Sequence, residues 1–171
     1  MNNNRYSHSF PVTTLADFKK RLLANYESEK FLVFLDSNEA ESSSYSCLCG
    51  IGAIDVLKCQ AGTAFQQLAD FQEEHQDWMF GYLGYDLKNE LEPLKSENQD
   101  LLDFPDLQFF IPETVVELTT DKVIFHSYEA DRSYFQELYD QMNKQSLHTD
   151  QEFSKQGILK ATDSKVAYLE K

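Results

Sequence analysis

The sequence predicts an α+β fold. Three observations predict it. Short apolar runs of strand length recur, as in Phe31-Leu32-Val33-Phe34-Leu35 and Leu107-Gln108-Phe109-Phe110-Ile111. Two β-rich runs, Thr114 to Leu118 and Lys122 to Tyr128, are joined by Thr119-Thr120-Asp121, the best hairpin signal in the chain. About three amphipathic helical stripes stand between the strands, which suits a layered sheet-and-helix domain.

The elements follow in order. Thr14 can cap a first helix, in which Leu15, Phe18, Leu22 and Leu23 form one apolar stripe. The Phe31 to Leu35 strand stops at Asp36-Ser37-Asn38, a turn-forming cluster, and Glu39 to Ser44 reads as loop. Tyr45 to Lys58 reads as two short strands, or one strand bent at Gly50 and Gly52. Ala64 to Gln76 is helical, with Phe65, Leu68, Ala69 and Gln72 on one face and Glu73 and Glu74 in solvent. Trp78 to Asp86 is strand-like, and Gly81 and Gly84 within it let another backbone approach closely. Lys88 to Leu94 reads as a short helix or turn closed at Pro93, and Ser96 to Asp100 as polar loop. After the hairpin, Asp131 can cap a helix whose stripe is Tyr134, Phe135, Leu138, Tyr139 and Met142. Lys144 to Gln156 is polar and aperiodic, and a helical pattern restarts at Asp163 or Ser164. Its eight residues fall short of the roughly 12–15 at which an isolated helix becomes marginal. The expected organisation is a domain over 1–145, a linker or loop over 146–162, and the start of a second domain over 163–171.

Composition excludes several classes. The chain has 171 residues and a formal charge of −14. Such a charge repels phosphate backbones, and no Lys/Arg stripe offsets it, so a nucleic-acid partner is not expected. Thirteen Phe, nine Tyr and one Trp argue against disorder. No apolar run is long enough for a membrane span, and Met1-Asn2-Asn3-Asn4-Arg5 leads into no signal core. Three cysteines, Cys47, Cys49 and Cys59, fit a reduced, cytoplasmic chain. Cys47 and Cys49 share one strand face and read as small buried hydrophobes rather than metal ligands.

No catalytic constellation stands out. Glu90 and Glu92 could form a carboxylate pair, but a solvated face is the expected reading. Asp36-Ser37 is more informative, lying just past the end of a buried strand. A hydroxyl and a carboxylate there could hold an ammonium or hydroxyl group, or simply close a turn.

The segment Gly81-Tyr82-Leu83-Gly84-Tyr85-Asp86-Leu87-Lys88-Asn89-Glu90-Leu91-Glu92, followed by Asp103-Phe104-Pro105-Asp106-Leu107, resembles the N-terminal region of component I of aminodeoxychorismate synthase (para-aminobenzoate synthase). Anthranilate synthase component I is a close relative. Leu35-Asp36-Ser37 matches the family's L-x-S element, Tyr45-Ser46 its Y-S strand opening, and Asp163 to Lys171 the lead-in to its catalytic domain.

The resemblance implies the N-terminal part of the chorismate-utilising enzyme fold, antiparallel β-sheets with outer helices packed against a large catalytic domain. It implies a ligand pocket of the tryptophan-holding type, lined here by Ser37, Tyr45, Ser46, Cys47 and Leu48, with Cys47 where relatives often carry Arg. It implies a transaminase-type whole enzyme in folate biosynthesis that converts chorismate to 4-amino-4-deoxychorismate. Ammonia would come from a glutamine amidotransferase partner. The Mg²⁺ carboxylates and the acid/base residues would belong to a C-terminal catalytic domain, leaving this chain without catalytic residues, metal or cofactor of its own. Anthranilate or isochorismate synthase, or a free-standing binding module, are the alternative readings.

Overall fold

The computed structural model describes residues 4–38, 40, 45–92 and 103–144. The expected loop at Glu39 and Glu41 to Ser44, the stop at Pro93, the loop at Ser96 to Asp100, the linker over 146–162 and the helical restart over 163–171 lie outside these residues.

The fold is α+β with two antiparallel sheets. The larger sheet is built from β1 (Tyr6–Pro11), β2 (Leu32–Asp36), β3 (Cys47–Ile51), β7 (Thr114–Leu118) and β8 (Lys122–Ser127), in the order β1-β8-β7-β3-β2. The smaller comprises β4 (Asp55–Cys59), β5 (Phe80–Leu83) and β6 (Leu107–Ile111), in the order β4-β6-β5. The helices are α1 (Leu15–Asn25), α2 (Ala64–His75), α3 (Lys88–Leu91) and α4 (Arg132–Lys144), with a 3₁₀ turn at Tyr85–Leu87.

Strand alternation divides the larger sheet into two buried faces. One carries Cys47, Cys49, Ile51, Val116, Leu118, Val123 and Phe125, and packs with Phe18 and Leu22 of α1 and Phe135 and Met142 of α4. The other carries Leu48 and Val115 and meets Phe80 and Phe110 of the smaller sheet. A third cluster, Ala64, Leu87 and Leu107, seats α2 and the 3₁₀ turn on the smaller sheet. The Tyr45 to Lys58 run resolves into two strands in different sheets, and the break lies at Gly52, whose φ of +69° suits glycine.

The N-terminal strand β1 was not foreseen. Tyr6-Ser-His-Ser-Phe-Pro11 is a half-polar edge strand, held by its pairing with β8 rather than by an apolar run of its own. The Trp78 to Asp86 strand narrows to Phe80–Leu83. The buried face of α2 is Ala64 and Phe71, with Leu68 half-buried, while Phe65 is 37% exposed. The stripe therefore runs i, i+4, i+7 from Ala64, a residue too small to signal it.

A buried cluster ties the two sheets together. Arg5 Nε donates to both carboxylate oxygens of Asp77 at 2.9 Å, and Nη2 donates to the Pro112 carbonyl at 2.6 Å. The Tyr128 hydroxyl donates to Asp77, and the guanidinium lies 4.3 Å from the Tyr128 ring centroid. Both charged side chains are only 5% exposed. Such a pair holds because further hydrogen bonds surround it: Arg5 also donates to the Glu113 and Pro112 carbonyls, and Asp77 also accepts from Tyr128 and the Trp78 N–H.

Candidate functional site

The antiparallel register of β2 and β3 sets Leu35 opposite Leu48 and Asp36 opposite Cys47. The pairing runs one step further. The Ser37 N–H donates to the Ser46 carbonyl at 3.1 Å, and the Ser46 N–H donates to the Leu118 carbonyl at 2.7 Å. Ser37 and Ser46 therefore face one another at the end of the sheet, on the face that carries Leu35 and Leu48. Leu48 is buried there, Leu35 is 49% exposed, and Tyr45 packs against the Leu48 cluster. Cys47 takes the opposite face and is fully buried in the helix-side core. Of the five residues predicted to line a pocket, the structure brings Ser37, Tyr45, Ser46 and Leu48 to one side and directs Cys47 to the other.

Asp36 closes the turn. Its Oδ1 accepts from Lys19 Nζ at 2.7 Å and from the Asn38 N–H at 2.9 Å. The Lys19 bond, then the Asn38 N–H, hold its carboxyl below the ordinary aspartate value. Asn38 takes the left-handed conformation that this turn needs (φ 50°). Burial pushes the Cys47 and Cys49 thiols up to about 12, so both stay neutral and inert.

Two further polar groups on the Leu48 face were not singled out from sequence. Glu117 pairs with Leu48 across β3 and β7. His126 lies on the same face; its Nδ1 is 2.8 Å from Ser7 Oγ and its Nε2 is 3.4 Å from Glu117 Oε2. Burial lowers the His126 pKa despite the Glu117 carboxylate, favouring neutral imidazole. Strand alternation would have placed Glu117 and His126 on one face, but the partner strand β3 could not be assigned from one sequence. The edge thus offers two hydroxyls, an apolar floor and a neighbouring carboxylate, a set suited to binding a small polar molecule.

The residues that carry the family resemblance build the scaffold beside this edge. A Cβ at Gly81 would collide with the Gln108 carbonyl oxygen, and one at Gly84 would come within 2.8 Å of the Asp106 carbonyl oxygen. Asp106 also accepts from the Ala61 N–H at 2.8 Å through its side chain. Glu90, expected in solvent, instead caps α2: its carboxylate accepts from the N–H groups of Gly62 at 2.6 Å, Ala64 at 2.7 Å and Phe65 at 3.4 Å. Desolvation opposes the charge, but these donors outweigh it and the carboxyl lies below its ordinary value. The helix start supplies the unpaired donors, and its dipole favours the charge.

The model of the family described as chorismate binding enzyme matches residues 19–171. The chain belongs to this family of chorismate-utilising enzymes. No curated protein matches the chain. Among the described residues no three His, Cys, Asp or Glu side chains are grouped to hold a metal ion, and no helix is long and apolar enough to cross a membrane. Asp36, Asp77 and Glu90 each accept hydrogen bonds from an internal partner.

Proposed function

We propose that the chain is the N-terminal scaffold and ligand-sensing domain of a cytoplasmic enzyme that aminates chorismate to 4-amino-4-deoxychorismate. The observation that carries this reading is the family match over 19–171, taken with the Gly81-to-Glu92 and Phe104-Pro105-Asp106 motifs that point to the aminobenzoate branch. In this reading the chain performs no chemistry alone. A C-terminal catalytic domain supplies the Mg²⁺ site and the acid/base groups, and a glutamine amidotransferase subunit supplies ammonia. The serine edge at Ser37 and Ser46, with Tyr45 and Leu48, is where an amino-acid ligand of the tryptophan type would sit, its ammonium on hydroxyl and backbone oxygens.

The reading is tested by incubating the chain with chorismate, Mg²⁺ and ammonium, alone and with the catalytic domain of an aminodeoxychorismate synthase added in trans. No turnover is expected alone, and 4-amino-4-deoxychorismate is expected with the added domain. Turnover by the chain alone would overturn the scaffold role. Anthranilate or isochorismate made by the natural full-length protein would move the chain to another branch. In that protein, Ser37→Ala should weaken an amino-acid ligand by about 1–3 kcal/mol in a calorimetric titration, the cost of an unpaired buried polar group. Unchanged affinity would leave Ser37 a turn residue.

A further inference from the structure

A cleft lies on the helix side of the larger sheet, between the end of β1, the start of α1 and the last turn of α4. It encloses about 230 Å³ and is lined by Thr13, Thr14, Asp17, Arg21, Tyr139 and Asn143, with Phe18 and Val12 beside them. The volume is below the range of drug-sized ligand sites, so a small molecule is the fitting occupant.

Arg21 is the informative residue. Among the described residues its Nε is buried and has no hydrogen-bond partner. Asp17 sits one turn earlier on α1, a spacing and order that favour an ion pair. No ion pair joins the two among the described residues. The Thr14 side chain makes no capping bond, so the first turn of α1 also presents unpaired N–H groups at this end. Tyr139 is already committed, donating to the Pro11 carbonyl at 2.7 Å, and its ring stacks 4.6 Å from that of Phe10. The cleft therefore offers one cation, one anion, spare hydroxyls and a fixed aromatic wall. A polyanion would meet Asp17 and the chain's charge of −14, and a simple cation would meet Arg21. A molecule bearing one charge of each sign satisfies both.

We propose that this cleft binds a free α-amino acid, its carboxylate on the Arg21 guanidinium and its ammonium toward Asp17. The α1 N-terminus and the Thr13 and Thr14 hydroxyls take the remaining carboxylate lone pairs, and Phe18 and Tyr139 flank the ligand side chain. This site is separate from the Ser37–Ser46 edge, which lies on the other face of the sheet, and it does not depend on which chorismate reaction the family member serves.

The experiment is a titration of the ¹⁵N-labelled full chain with the standard L-amino acids, one at a time, following backbone amide shifts. At least one amino acid is expected to shift the amides of Thr13, Thr14, Asp17 and Arg21 saturably. Its analogues lacking the carboxylate or the ammonium, and the variants Arg21→Gln and Asp17→Asn, should each bind about tenfold more weakly or worse. Arg21→Gln should melt no lower than the unsubstituted protein, because it removes a donor that has no partner; Arg21→Lys, which keeps the charge and loses the planar fork, provides an intermediate affinity. The proposal is overturned if no amino acid moves these amides up to about 10 mM, if acetate or inorganic phosphate saturates the same shifts as tightly, or if the shifts centre on Ser37, Ser46 and Leu48 instead.

Discussion

At the scale of the residue, two positions carry disproportionate weight. Asp77 is the anion of the buried cluster that joins the N-terminus to both sheets. Desolvation raises its pKa, but Arg5, Tyr128 and the Trp78 N–H more than compensate, and the carboxyl lies below its ordinary 3.8. A depressed folded value means that the unfolded chain binds the proton first. The contribution is whole above pH 3.8 and is lost as pH falls through the lower folded value. Asp77→Asn leaves the buried Arg5 charge uncompensated and should cost about 3–5 kcal/mol in urea unfolding at neutral pH. The difference from the unsubstituted protein should shrink on acidification below that range; a difference independent of pH would mean that Asp77 acts by packing alone. Gly81 is the other position. Its missing Cβ is what lets β5 lie against β6, where the Gln108 carbonyl occupies the space. Gly81→Ala forces backbone rather than a flexible side chain to move, and should cost about 1–3 kcal/mol or more by the same measurement.

Among the elements, what was legible in the sequence followed from self-contained signals. The β6 run, the β7–β8 hairpin and α4 with its Asp131 cap announce themselves locally, and Asp131 Oδ1 does accept from the Ser133 N–H at 2.9 Å. What was not legible depends on a distant partner. β1 is a strand only because β8 offers an edge, and the true face of α2 begins at an alanine that matters because Leu87 and Leu107 meet it. The serine edge divides in the same way. Asp36-Ser37-Asn38 was readable as a turn, whereas the opposition of Ser37 and Ser46 is a matter of register across a loop. Cys47 points away from its neighbours Ser46 and Leu48 for a local reason, since adjacent strand residues take opposite faces. Glu90 shows the strongest dependence on tertiary context. Helix α2 lacks a capping side chain from Thr63, and a carboxylate distant in sequence replaces it. Glu90→Gln should lower the melting temperature, and the loss should concentrate in α2, seen as faster hydrogen exchange of the Ala64 to Leu68 amides. Because the Glu90 carboxyl is held below its ordinary value, this protection should persist at neutral pH and fade as pH falls through the folded value. Uniform acceleration across both sheets would show instead that Glu90 supports the whole fold.

For the whole molecule, the question is whether two sheets make one folding unit. The interface between them is Leu48, Val115, Phe80 and Phe110, reinforced by the Arg5–Asp77 cluster and by chain crossings at Gly52 and Pro112. Phe80 is central: it is 3% exposed, its ring lies 6.2 Å from that of Phe110, and it fills the space above Gly50 that a Cβ would need. The chain has one tryptophan, and Trp78 sits at this joint, 6.4 Å from the Phe80 ring and 6.0 Å from His126 of the larger sheet. Its fluorescence therefore reports the joint, while far-ultraviolet circular dichroism reports the secondary structure of both sheets and the helices. With the joint intact the two transitions should coincide in denaturant, as for a two-state domain. Phe80→Ala opens a cavity at the centre of the interface and should cost about 3–5 kcal/mol. The helix-side core of the larger sheet does not include Phe80, so it retains its own packing when the interface weakens. The fluorescence midpoint should therefore fall further than the dichroism midpoint, and the two curves should separate. If they shift together, the Arg5–Asp77 cluster and the strand crossings alone suffice to couple the sheets, and the apolar interface adds stability without setting cooperativity.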